Sequence, residues 1–133
     1  MNTFTTELLR DALAWLGCDM NRFQSFDTHS TVAMSFDNIG DLFMEAIDDD
    51  VWMWNVVADE PLGRFDYAAP KLLAALAEPA PWSRTGQLQL GEDEGKTVLR
   101  CVLSPRSLTS AADLGASIEG FFLRAAQTRD MLQ

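Results

Sequence analysis

The stretch that decides the fold is Asp48-Asp49-Asp50-Val51-Trp52-Met53-Trp54, three carboxylates followed directly by an aromatic-rich run. Three adjacent charges stay in water, and the run after them leaves it. The chain therefore turns at the aspartates and enters a sheet. Trp52 and Trp54 stand two residues apart, so both point to one face of that strand, with Val51 and Met53 on the other. Upstream, Leu42 to Ile47 reads as a second strand with large apolar groups on both faces, Leu42 and Met44 against Phe43 and Ile47. A single layer of helices covers only one face of a sheet. Part of this apolar surface must therefore meet another subunit or a ligand.

Working outward, Thr31 to Phe36 alternates cleanly, with Val32, Met34 and Phe36 on one face, and reads as a half-buried antiparallel strand. Asp37-Asn38-Ile39-Gly40 turns it into the next strand. Before these lies an amphipathic helix over about Thr3 to Leu16, with Gly17 placed to end it in a left-handed cap. A polar loop, Asp19 to Ser30, joins the two, and its only large apolar residues are Phe23 and Phe26. After Val51 to Val57, Asp59-Glu60-Pro61-Leu62-Gly63 breaks the sheet. A helix follows over about Tyr67 to Glu78, with Leu72, Leu73 and Leu76 in an alanine-rich frame, and Pro79-Ala80-Pro81 stops it.

Gln87 to Leu90 and Lys96 to Leu103 form a hairpin around Gly91-Glu92-Asp93-Glu94-Gly95. The last helix runs from about Ser110 to Leu132. Ser110 is its N-cap, Asp113 lies three residues on, and Leu114, Ile118, Phe121, Phe122 and Ala125 form its core stripe. The order α-β-β-β-α-β-β-α, with no repeat or linker to divide residues 1–133, describes one α+β domain, an antiparallel sheet covered by helices.

Composition favours binding over catalysis. An apolar fraction of 47% in 133 residues supports a real core, and no apolar run is long enough for a membrane helix. The N-terminus lacks the basic start and apolar run of a secretory signal, and the isolated Cys18 and Cys101 read as reduced, buried thiols. These features point to the cytoplasm. A formal charge of −10, with scattered bases, excludes nucleic acid and anionic membrane as partners.

The single histidine, His29, sits in Asp27-Thr28-His29-Ser30, where adjacent residues point apart and make no catalytic triad. The aspartate triplet lacks the oxygen set of a cation site. No glycine loop opens a helix to hold phosphate. The chain therefore reads as no enzyme, with no metal and no cofactor. What stands out is adaptable apolar surface: Met34, Met44 and Met53 lie in the sheet beside Phe36, Phe43, Trp52 and Trp54.

Nearly end to end, the chain resembles the type III secretion effector chaperones of class IB, the small acidic surface-presentation-of-antigens K type that serves invasion effectors. The resemblance is carried by Leu9-Arg10-Asp11-Ala12-Leu13, Gly17-Cys18, Asp27-Thr28-His29-Ser30-Thr31, Asp48 to Trp54, Gly86-Gln87-Leu88-Gln89-Leu90-Gly91-Glu92 and Gly120-Phe121-Phe122. Gln89 departs from it, standing where a Gln-Leu-Leu-Leu-like strand has an apolar residue.

The resemblance implies a homodimer in the bacterial cytoplasm, with Leu72, Leu73 and Leu76 of the middle helix at the two-fold axis. It also implies a client: an extended N-terminal segment of a secreted effector, held in apolar grooves of the first helix and sheet and adding a strand at a sheet edge. Leu9, Leu13, Phe26, Phe36, Leu42 and Met44 are the expected client contacts. The ATPase of the secretion apparatus is a candidate further partner. The alternative is a regulatory adaptor whose same surface binds a folded sorting or transcriptional protein.

Overall fold

The computed structural model describes residues 4–18 and 31–133. Its elements follow the expected order: α1 (Thr6–Trp15), β1 (Val32–Phe36), β2 (Gly40–Ile47), β3 (Asp50–Ala58), α2 (Ala69–Ala77), β4 (Gln89–Asp93), β5 (Lys96–Val102) and α3 (Ala111–Met131). The five strands form one antiparallel sheet in the order β1-β2-β3-β5-β4, so the tryptophan strand β3 is central. Short 3₁₀ segments, Leu62–Ala68 and Pro105–Leu108, lead into α2 and α3.

The turns follow from backbone chemistry. Ile47 pairs with Asp50, leaving Asp48-Asp49 as a two-residue reversal in which Asp48 takes φ 56°, a left-handed position that a short polar side chain tolerates. Asp50 also pairs with Arg84. The last hairpin differs from its expected form. Asp93 pairs with Lys96, so Glu94 (φ 52°) and Gly95 (φ 77°) alone make the turn, while Gly91, Glu92 and Asp93 lie within β4. Two residues of positive φ match the twist of a tight hairpin. A longer tip was expected because three acids and two glycines in a row look like loop.

The core lies on one side of the sheet. Along β3, Val51, Met53, Asn55 and Val57 are buried, and Trp52, Trp54, Val56 and Ala58 are half-buried. The buried set meets Val32 and Met34 of β1, Leu42 and Met44 of β2, and Leu99 and Cys101 of β5. Leu9, Ala12 and Leu13 of α1, with Leu114, Ile118, Phe121 and Ala125 of α3, close this inner face. Each fully buried side chain of this size contributes about 1.5–3 kcal/mol over exposure.

Polar contacts fix the frame. Two of the three helices are capped by hydroxyls: Thr5 Oγ1 accepts from the Leu8 N–H at 3.1 Å in α1, and Ser110 Oγ, as expected, from the Asp113 N–H at 3.1 Å in α3. From the last turns of α3, Arg129 donates to the carbonyls of Ile39 (2.9 Å) and Val56 (2.6 Å), tying the helix to β3 and the turn before β2. Close helix packing requires Gly115, where a Cβ would stand 2.5 Å from the Trp15 ring. Among the described residues no helix is long and apolar enough to cross a membrane.

Candidate binding surface

The sheet's second, outer face is built by the residues alternating with the core. Phe43 of β2 lies directly opposite Trp54 of β3, and their rings stack at 5.5 Å and 18°. One step along, Glu45 faces Trp52. On the other flank of β3, Arg100 of β5 is opposite Trp54, and Val102 is opposite Trp52. Ile47 at the end of β2 is 48% exposed. Ile47, Trp52, Trp54, Val98 and Arg100 help line a shallow hollow of about 200 Å³. Phe43, Glu45, Trp52, Trp54, Val56, Arg100 and Val102 remain half-buried, whereas the inner-face residues on the same strands are shut away.

Arg100 occupies an unusual position here. Its guanidinium lies flat across Gly91 of β4, where a Cβ would come within 3.0 Å of Cζ and Nη2. Its Nε is buried and has no hydrogen-bond partner.

Two further surfaces flank the sheet. β1 pairs only with β2, so among the described residues its other edge carries no strand. Beside it Phe36 packs edge-on against Phe122 at 5.4 Å. On α2, Leu73 is 69% exposed. Arg124 of α3 holds the end of that helix by donating to the carbonyls of Ala75 (2.7 Å), Glu78 (3.3 Å) and Pro79 (3.4 Å).

The residues expected at the two contact sites fall in different places. Leu9, Leu13, Leu42 and Met44, expected to touch a client, are wholly buried in the core. In the chain alone its own helices cover all four, because side-chain period identifies a face but not what covers it. Phe36 is half-buried and accessible, and Phe26 lies outside the described residues. Of the leucines expected at the two-fold axis, Leu72 is buried, Leu76 half-buried and Leu73 exposed. The outer-face role of Arg100 was not foreseen. Its signal is the diagonal contact of Arg100, opposite Gln89, with Gly91, opposite Val98, visible only once register is known.

The thiols are quiet. Burial pushes Cys101 up to about 12, and partial burial raises Cys18. Among the described residues no three His, Cys, Asp or Glu side chains cluster as metal ligands.

The fold of this chain is similar to that of structures solved as complexes. The HopA1-SchA chaperone–effector complex matches with a TM-score of 0.61 at 23% identity, covering 93% of this chain and 91% of that one. The heterodimeric ExoU-SpcU complex from the type III secretion system of Pseudomonas aeruginosa gives 0.60 at 16% identity, covering 94% and 98%. The fold is thus one found in a chaperone–effector complex and in a complex of the type III secretion system. Residues 17–94, more than half of the chain, match the model of the Invasion protein B family, and the chain belongs to that family. It is also 29% identical over 116 residues to the surface presentation of antigens protein SpaK of Salmonella typhimurium and of Salmonella typhi, covering 87% of this chain and 86% of each relative.

Proposed function

We propose that this protein is a type III secretion effector chaperone. It is a homodimer of the bacterial cytoplasm that holds the N-terminal segment of a secreted effector in extended form, keeping it soluble and competent for export. The observation that carries this reading is a fold shared over more than nine-tenths of the chain with partners in a chaperone–effector and a type III secretion complex. Family membership points the same way.

The open edge of β1 supplies the physical means. Backbone groups of an edge strand bind a client strand with little regard for its sequence, and neighbouring pockets select alternate side chains. Phe36, half-buried beside that edge, would line such a pocket, and Phe26, Leu9, Leu13, Leu42 and Met44 are proposed as the further client contacts. No catalytic step is part of this activity. The ATPase of the secretion apparatus fits as the partner that later removes the client.

Coexpression tests the proposal. The chaperone should retain the N-terminal segment of a secreted effector, and proteolysis of the complex should leave an extended effector fragment protected. Retention of nothing refutes it. Protection of a complete folded domain would instead make the protein a regulatory adaptor.

A further inference from the structure

We propose that the polar hollow where the end of α3 meets the sheet binds a primary carboxamide, the side-chain group of a glutamine or asparagine on a bound polypeptide. The site draws on β2, β3, β5 and α3 rather than on the open edge of β1. It is therefore a point of recognition that the chaperone reading does not assign.

The hollow, of about 360 Å³, has Asn55 of β3 in its lining. Asn55 is 1% exposed. Its Nδ2 donates to the carbonyls of Ile39 (2.8 Å) and Asp41 (2.9 Å). These two acceptors fix which end of the amide is the nitrogen, because a flipped amide would set oxygen against oxygen. Oδ1 is the end left over, and among the described residues no donor reaches it. A buried acceptor without a partner is costly, so a donor entering the hollow supplies what the chain alone lacks.

The charged groups around it select the donor. Asp41 and Asp59 line the hollow together with Lys96 and Arg129, so four formal charges cancel there in a chain of net charge −10. Asp59 and Lys96 make no ion pair among the described residues, and Asp41 Oδ1 accepts from the Ser35 hydroxyl at 2.7 Å. Arg129 spends Nη1 on the Ile39 and Val56 carbonyls, and its Nε and Nη2 remain to donate.

The entering group must then carry an N–H for Oδ1 and an acceptor for Lys96 and Arg129, with no net charge. A primary carboxamide carries both in one plane. A carboxylate of the same length brings no N–H to Oδ1 and sets an anion beside Asp41 and Asp59. An ammonium or guanidinium leaves Lys96 and Arg129 opposed by another cation. Phe43 and Val56, half-buried at the wall, take the methylene stem.

NMR titration of the full chain tests the assignment with three capped amino acids that share one backbone: the N-acetyl methylamides of glutamine, glutamate and methionine. The glutamine probe should give saturable shifts centred on the Asn55 side-chain amide, Gly40 and Lys96. It should bind at least ~10-fold more tightly than either control. Lys96→Met, at an exposed position, should weaken that binding at least ~3-fold with circular dichroism unchanged. An equal response to the methionine probe would make the hollow merely apolar, and tighter glutamate binding would make it an anion site. No saturable shift with any probe would leave Oδ1 to ordered water. Each of these, like an unaffected Lys96→Met variant, overturns the proposal. The titration does not depend on effector retention, so the chaperone reading stands or falls separately.

Discussion

Replacing Met44 by alanine separates core from client surface most sharply. Met44 sits on β2 opposite Val32 on one side and Met53 on the other, and all three are buried. The substitution removes three heavy atoms from a site with no solvent access. Lost transfer energy and the residual cavity together give a cost of about 2–4 kcal/mol. Against a total of roughly 5–15 kcal/mol for a domain, that is a large fraction. Urea unfolding at fixed protein concentration should show the midpoint falling by roughly 1–2 M with an unchanged slope. Effector capture, measured where the variant remains folded, should match the parent. A loss below ~1 kcal/mol accompanied by failed capture would refute the burial argument and return Met44 to the client surface.

Other outcomes follow from the same contacts. Phe36→Ala, at a half-buried position, should cost less stability than Met44→Ala yet reduce effector retention in pull-downs; unchanged retention would remove β1 from the client site. Arg129→Met strips donors from the Ile39 and Val56 carbonyls and should cost about 2–3 kcal/mol in denaturant unfolding; a neutral result would show that α3 is held by packing alone. Hydrogen bonds from Thr109 and Ser110, with the nearby Arg106 charge, hold the Asp113 carboxyl below its ordinary value. Its stabilisation is therefore full above the unfolded carboxylate's pKa and fades as pH falls through the lower folded value, so Asp113→Asn should flatten the acid limb of a stability–pH curve. A parallel curve would discount the cap. Native thiol titration should label Cys18 and spare Cys101, which is 2% exposed with its thiol pushed up to about 12; rapid labelling of both would mean that the sheet opens.

Much of this architecture was legible in the residues because local rules agreed with one another. The Asp48–Trp54 run marked the turn and central strand, Gly17 and Ser110 marked helix ends, and the two-faced apolar strands announced uncovered surface. What the residues left open shares one physical origin. Alternation divides Leu42 and Met44 from Phe43 and Ile47, but only tertiary packing decides which pair the helices cover. Leu9 and Leu13 pose the same question, since an apolar helix stripe looks alike whether it meets its own sheet or a guest. The β4–β5 turn was drawn too long because Gly91 is a strand residue, kept small by the guanidinium lying across it. Arg129 acts through carbonyls on distant elements, Ile39 and Val56, and spacing along the chain does not reveal them.

The most direct test of the chaperone assignment is amide hydrogen exchange on an effector's N-terminal segment, free and bound to this protein. The account predicts slowed exchange over a short extended stretch of the segment and over β1 of the chaperone, with no cooperatively folded client domain. Protection spread through a globular client, with β1 exchanging as it does alone, would contradict it.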